Sequence, residues 1–284
     1  GDTNYSVRWD GNGSSTKLGF NQGAGNAVKL ANFDNNLTAN DLIINSILVP
    51  LANFSQNGGI YIIKDINRLS GALSFSSSSS FFSLWYGSGD SESLGRSAGL
   101  TSALSSGDGI QIVNVDNNAT ANDLLVMGLQ VNGVVYLVKD ANVKSGSINI
   151  GGSYSVRWVG NAFFDDLGTT NGSGLGVQLA NIDNNAWAND LLISCYTCDV
   201  NGKTNNGLVL LSKDIHRKSG SITTASGFDL RIAGGSTSDS LIDTGRSGLG
   251  AQIVDSDNNG YSNDVLLTAV NADINGKADA GAVY

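Results

Sequence analysis

One histidine, one methionine, one proline and two cysteines are all that a chain of 284 residues holds of these four types, and only 14% of it is charged. A single histidine leaves little room for imidazole-based catalysis. Two cysteines cannot build a four-ligand zinc site, and the CYTC stretch at Cys195 and Cys198 is followed by no helix of the kind a thioredoxin-type motif needs. A local disulfide formed in an oxidising compartment is the first expectation for that pair, with two free thiols as the alternative. The net charge of −9, spread over few ionisable groups, argues against nucleic acid or an anionic membrane surface as partner. No apolar run approaches the roughly 20 residues that span a bilayer, so no membrane insertion is expected. The first residues carry no charged-then-apolar leader, and the chain reads as a mature soluble species. There is no GxSxG elbow and no Gly-rich phosphate loop ending in Lys-Ser/Thr. Nowhere do ten or more residues carry a helical apolar stripe.

What the chain has instead is repetition. The segments DNNLTANDLI from Asp34, DNNATANDLL from Asp116, DNNAWANDLL from Asp183 and DNNGYSNDVL from Asp257 match one another. In each a second acid follows, at Asp41, Asp123, Asp190 and Asp264. Successive copies stand 67 to 82 residues apart (183 − 116 and 116 − 34). Each loop leads into an apolar run (LIINSIL, LLVMGL, LLISCY, VLLTAV), a Gly-containing turn and a second run (GIYIIKD, GVVYLVKD, GLVLLSKD, GAVY). An SG turn follows in three units, and a further piece recurs as YSVRW from Tyr5, FSLWY from Phe82, YSVRW from Tyr154 and FDLRI from Phe228. Runs of this length, rich in β-branched and aromatic residues and bounded by Gly, Asn, Asp and Ser, read as strands. The fold class is therefore all-β, one repeat domain over 1–284 with units near 1–73, 74–150, 151–224 and 225–284. Each unit is expected to be a small antiparallel sheet of about four strands, and radial repetition of such sheets makes a propeller.

The strings GLGVQLANIDNNAWANDLLISCYTCDVNGKTNNGLVLL and GLGAQIVDSDNNGYSNDVLLTAVNADINGKADAGAVY resemble the FG-GAP repeat, the blade of integrin-alpha-type β-propellers and of many bacterial extracellular proteins. The resemblance runs through all four units and is strongest in the last two. It implies four FG-GAP-like blades, a β-propeller-like arrangement, an extracellular location and calcium as the ion held by the acidic loops. The four units are fewer than the seven of integrin-type rings, and the last loop is one residue longer than the family's and keeps its Gly only as Gly260. Position by position, the implied calcium ligands of the last loop are Asp255, Asp257, Asn259 and Asp264. The other loops begin with Asn and offer Asn32, Asp34, Asn36 and Asp41, then Asn114, Asp116, Asn118 and Asp123, then Asn181, Asp183, Asn185 and Asp190. Oxygen ligands at alternate positions suit a hard cation, and three carboxylates in the last loop against two in the others make it the best metal candidate. A DNN turn also closes a hairpin with no ion, because Asn and Asp bond their own backbone and tolerate left-handed conformations.

Six N-x-S/T sequons, at Asn4, Asn12, Asn36, Asn53, Asn118 and Asn171, are candidate glycan acceptors on a secreted protein. Asn36 and Asn118 cannot carry a sugar and ligate an ion through the same group. Features that recur in every unit are expected to be architectural, so special roles are sought where one unit departs. His216 stands where Asn67 and Asn142 stand in other units and is expected to be a turn residue. Trp187 replaces a small or polar loop residue, and Trp85 aligns with Arg; exposed, these two would be candidates for carbohydrate or protein contact. Val7, Trp9 and their counterparts should pack, with Arg8, Arg157 and Arg231 outward. The run Ser76 to Ser80 reads as a linker.

The repeat register also bears on the two ends. The second run of the last unit reaches Tyr284 without the SG turn and further strand of the others, while the chain opens on an unpartnered YSVRW. The last blade is then completed by an N-terminal strand of the same or a neighbouring chain, through Tyr5, Val7, Trp9, Val283 and Tyr284. A head-to-tail contact of this kind propagates. The expected function is a non-catalytic, secreted structural protein, a homopolymeric filament subunit assembled by β-strand complementation, with calcium and glycans as accompaniments. The alternative is a monomeric calcium-binding propeller acting as an adhesin for a glycan or protein.

Overall fold

The apolar runs after the acidic loops are hydrophobic at nearly every position, the pattern of strands covered on both faces. The computed structural model describes residues 6–10, 18, 28–36, 40–46, 58–75, 82–89, 92–95, 109–118, 121–128, 132–161, 165, 167–168, 176–185, 187–237, 239, 241–242 and 250–284. It is all-β. Strands β1 (Val7–Asp10) to β6 (Ser83–Tyr86) include β2 (Val28–Ala31), β3 (Asp41–Ser46), β4 (Gly59–Ile63) and β5 (Gly71–Ser74). The next set is β7 (Ile110–Val113), β8 (Asp123–Gly128), β9 (Val134–Val138), β10 (Gly146–Asn149) and β11 (Val156–Val159). Then come β12 (Val177–Ala180), β13 (Asp190–Cys195), β14 (Leu208–Ser212), β15 (Gly220–Thr223) and β16 (Leu230–Ala233), followed by β17 (Ala251–Val254), β18 (Asp264–Ala269) and β19 (Ala282–Val283).

Among the described residues five sheets result, in the orders β1-β5, β10-β6-β4-β3-β2, β15-β11-β9-β8-β7, β12-β13-β14-β16 and β17-β18-β19. The strand after the SG turn lies parallel to the strand that opens its own unit, β5 on β1, β10 on β6 and β15 on β11, and all other pairing is antiparallel. The sequence units do not coincide with the sheets: β6 and β10 of the second unit complete the sheet of β2, β3 and β4, β11 and β15 of the third complete that of β7, β8 and β9, and β16 of the fourth joins β12, β13 and β14. The departure has a local cause. The Asp of each KD pair, Asp65, Asp140 and Asp214, takes a left-handed conformation (φ 53°, 50° and 50°) and opens a single 3₁₀ turn that redirects the chain.

Alternation along each strand decides which neighbour it touches. In β3, Leu42 and Ile44 join Tyr61, Ile63, Leu84 and Phe75 in a cluster with Trp9 packed against it, whereas Ile43, Ile60, Ile62 and Trp85 meet Leu124, Val126, Val134 and Tyr136 of the next sheet. Leu125, Met127, Val135 and Leu137 then face Leu191, Ile193, Leu208 and Leu210. Leu192 and Val209 face Ala251 and Leu267. The sheets thus stack in series, each interior one sandwiched between two others. Side-chain clasps tie the edges: Lys29 Nζ donates to the Ile110 carbonyl at 2.7 Å, Gln111 Nε2 to that of Val177 at 2.9 Å, and Gln178 Nε2 to that of Ala251 at 2.7 Å. Among the described residues no closed barrel or propeller forms, and the β1-β5 pair and the β17-β18-β19 sheet stand at opposite ends of the series.

Trp85 departs from its sequence-based alignment with Arg. Register places Ser83 against Gly146 as Val156 lies against Gly220, so Trp85 occupies the position of Trp158 and Leu84 that of Arg157. One residue of slip reverses the face, and Trp85 is fully buried, its Nε1 donating to Ser83 Oγ at 3.1 Å. It is a core residue and not a surface contact.

Leu125 and Leu266 hold the same repeat position, yet only Leu125 is covered. Truncating Leu125 to Ala is expected to cost about 2–5 kcal/mol, as for other buried leucines. The same change at Leu266, 37% exposed, should cost less than half of that. Urea unfolding of dilute protein measures both.

Candidate functional site

In each acidic loop the second Asp begins a strand and points its carboxylate back across the loop. Asp41 Oδ2 accepts from the Phe33 and Asp34 amides at 2.6 and 3.1 Å, while its Oδ1 accepts from the Asp65 amide at 3.0 Å. Asp123 does the same for Val115 (2.8 Å) and Asp140 (2.9 Å). Asp190 accepts from Ile182 (2.7 Å), Asp183 (3.2 Å) and Asp214 (2.9 Å). All three carboxylates are buried, and each fastens its loop to the turn of its own KD pair. A buried carboxylate that satisfies two or three backbone donors is an architectural hub.

The first acid of each loop makes the turn itself. Asp34, Asp116, Asp183 and Asp257 accept at Oδ1 from the amide two residues on at 3.2–3.3 Å, and the intervening Asn35, Asn117, Asn184 and Asn258 are left-handed, with φ from 56° to 64°. The third residue turns its amide nitrogen toward the KD acid: Asn36 Nδ2 donates to Asp65 Oδ1 at 2.7 Å, Asn118 to Asp140 at 3.0 Å, and Asn185 to Asp214 at 3.3 Å. Asn32 and Asn114 act within the loop as well, Asn32 Oδ1 accepting from the Asn36 amide and Asn114 Nδ2 donating to the Asn118 carbonyl. Asn181 likewise donates to the Asn185 carbonyl. In these three loops the third-position amide nitrogen is thus committed to the KD acid.

Among the described residues, two groups of carboxylates are close enough together that they could hold a metal ion. Asp116, Asp123 and Asp140 have oxygens within 4.8 Å of one another, as do Asp255, Asp257 and Asp264. The first group adds Asp140, a residue outside the acidic loop; its signal in the sequence is the recurrent KD at the end of each second run. The second group holds three of the four residues that the resemblance implies. Its fourth, Asn259, donates its amide nitrogen to Asp257 Oδ2 at 3.1 Å and accepts from the Tyr261 amide at 2.9 Å, so its side chain is engaged within the turn. Asp255 accepts from the Asn259 and Gly260 amides, both at 2.9 Å. The donor set of the last loop, three carboxylates on an exposed turn, fits a hard cation better than the amide-filled loops do.

Asp123 and Asp264 are shifted in opposite senses. Burial raises the carboxyl pKa of Asp123, against the backbone donors of Val115 and Asp140 that lower it. The Ser256 hydroxyl, 2.6 Å from Asp264 Oδ2, lowers that of Asp264. Burial also raises Asp34, with Asp41 and Asp65 adding repulsion.

The remaining candidates are scattered. Of the sequons, Asn36 and Asn118 commit their amide nitrogens inside their loops as described, and a glycan on either would break those bonds; Asn4, Asn12, Asn53 and Asn171 lie outside the described residues, as do Tyr5 and Ser76 to Ser80. Cys195 and Cys198 form a disulfide buried between β13 and the following turn. His216 sits in the 3₁₀ turn Ile215–Arg217, bonded to Asn189 at 3.2 Å. Trp187 is half-buried against it and donates Nε1–H to the Val115 carbonyl at 3.2 Å, bracing two successive units.

The strand ends complete the picture. β11 lies between a parallel partner, β15, and an antiparallel one, β9, and β6 between β10 and β4. Among the described residues β1 has the parallel partner β5 alone. At the other end β19 has β18 alone, closed by reciprocal bonds of 2.8 Å between Leu267 and Tyr284. Those bonds turn the Val283 N–H and C=O to the open side.

Compared with known protein families and with curated proteins, the chain matches none.

Asp190→Ala is expected to leave three loop amides without their acceptor and to cost at least about 1–3 kcal/mol in urea unfolding. For Asp123, folded protein keeps its proton at pH values where the unfolded carboxylate, near 3.8, has lost it, so its contribution to stability falls as pH rises through that window. Asp264 acts the other way: its contribution is present above 3.8 and is lost as pH falls through its lowered value. Thermal melts across pH 3–6 should therefore change slope in opposite senses for Asp123→Asn and Asp264→Asn.

Proposed function

We propose that this chain is a non-catalytic structural subunit that polymerises head to tail, one copy's β1 completing the next copy's sheet beside β19. The observation that carries this reading is complementarity of strand number and kind. The interior five-stranded sheet runs β15-β11-β9-β8-β7. The first sheet of the chain, β5-β1, has the two strands equivalent to β15-β11, and the last, β19-β18-β17, has the three equivalent to β9-β8-β7. Joined between copies they make one sheet of the same order.

The interior pairing supplies a register. Val134, Val135 and Tyr136 lie opposite Val159, Trp158 and Arg157. Carried to the repeat-equivalent positions, Ala282 pairs with Asp10, Val283 with Trp9 and Tyr284 with Arg8. Edge strands are templates for such addition, and main-chain hydrogen bonds provide its affinity. A contact between two different surfaces of identical copies continues as a fibre unless its rotation closes a ring.

The likeness of the loops to FG-GAP repeats, the disulfide and the sequons support an extracellular setting. Calcium at Asp255, Asp257 and Asp264 would brace the β17-β18 connection within the sheet that receives β1, supplying charge neutralisation there. Four repeats of one acid pair, each hub used to hold backbone, support architecture over catalysis.

Val283→Pro removes the donor on the open side of β19 and leaves its bonds to β18 in place. Particle mass in dilute solution and electron micrographs are expected to show polymers for the intact chain, and monomers both for Val283→Pro and for a chain lacking residues 1–10. An intact chain that stays monomeric at all concentrations, or a Val283→Pro chain that still polymerises, refutes the reading. Calcium should raise the melting temperature of the intact chain and not that of the Asp257→Asn, Asp264→Asn double variant; no rise in the intact chain removes calcium from it.

A further inference from the structure

Strand pairing alone leaves two apolar surfaces unexplained. On β2, Val28 and Leu30 are 50% and 63% exposed, although they lie opposite Ile44 and Leu42 and share their buried face. Their repeat equivalents, Ile110, Val177 and Ala251 for the first and Ile112, Leu179 and Ile253 for the second, pack into the clusters between sheets. At the other end of the series Leu266 is 37% and Val283 67% exposed, whereas their equivalents Ile43, Leu125 and Leu192, and Ile60, Val135 and Val209, are buried. The same internal contact recurs three times in the chain, and each end presents one half of it.

The cause is geometric. In the interior the equivalents of β2, strands β7, β12 and β17, are covered by the β2-β3, β7-β8 and β12-β13 halves of the preceding sheets. The pair β1-β5 lacks that half, so it shelters Tyr61, Leu84 and Phe75 but leaves β2 bare. The strands β17-β18-β19 are the missing half, and their outer face has nothing stacked upon it among the described residues.

We propose that a second copy of this chain covers both surfaces at once: the outer face of β17-β18-β19, with Leu266 and Val283, lies on Val28 and Leu30 of the next copy. The clasp series gives the alignment. Lys29, Gln111 and Gln178 each donate to the first strand residue of the following unit, at Ile110, Val177 and Ala251. Gln252 is the next member, and the equivalent acceptor in the following copy is the Val28 carbonyl. The junction is then a stacked sheet pair as well as a completed sheet. This inference rests on the proposed head-to-tail assembly and adds to it a face, a partner surface and a polarity.

The test uses Leu30→Glu and Leu266→Glu, both at side chains already exposed in the single chain, so each variant should melt within a few degrees of the parent when dilute. Sedimentation velocity is expected to show polymers for the parent and monomers for each variant alone. An equimolar mixture should give a one-to-one dimer and nothing longer, because the intact Leu266 face of one variant meets the intact Leu30 face of the other and both outer faces are spoiled. Variants that polymerise at the parent's concentration overturn the face contact while leaving strand addition standing. Monomeric variants whose mixture stays monomeric overturn the pairing of these two faces. A parent that never polymerises removes the assembly itself, and this inference with it.

Discussion

The constraint on which the rest of the structure depends is that an interior sheet here is apolar on both faces and must be covered twice. Ile43 and Leu42 are neighbours in one strand, yet one belongs to the cluster with Tyr136 and the other to the cluster with Trp9. A sheet of this kind cannot end a stack without exposing large side chains to water. Every sheet therefore calls for another, and the series continues until a face is left open. Among the described residues, Val28 and Leu30 on β2 and Leu266 and Val283 on β18 and β19 are exposed where this logic predicts, at the two ends of the series, while Val143 in a turn and Leu230 on β16 are exposed within it.

Stacking by itself would leave successive units free to slide. Two devices hold them. The return of β5, β10 and β15 to the sheet before the one each leaves ties successive sheets through the main chain, and the Lys29, Gln111 and Gln178 side chains fix the edges by reaching a carbonyl one sheet away. The first device depends on the acidic loops. Asp41, Asp123 and Asp190 anchor each loop to the left-handed Asp at which the chain turns toward the preceding sheet, so the carboxylates that look like metal ligands also hold the turn that starts the returning strand. Where a loop has gained Asp255, carboxylates crowd on an exposed turn instead, which is why the last loop differs chemically from the others.

Much of the site was legible in the residues. Asp255, Asp257 and Asp264 come together, three of the four positions that the FG-GAP resemblance implies for the last loop. Asp140 was not so read, because it lies across a hairpin from Asp123 and its closeness is a product of strand pairing. Trp85 was misaligned with Arg for a similar reason: a one-residue difference in the approach to β6 is invisible in the letters and becomes a change of face only once β10 sets the register.

The sequence by itself determined the all-β class, the four-fold recurrence, the turns and the strands buried on both sides, because these follow from local conformational preference and from the period of apolar residues. Tertiary structure decided which sheet each strand joins and which copy of a repeated position stays in water. Leu125 and Leu266 are the same residue in the same motif, and only the presence or absence of a neighbouring sheet makes one a core residue and leaves the other in water.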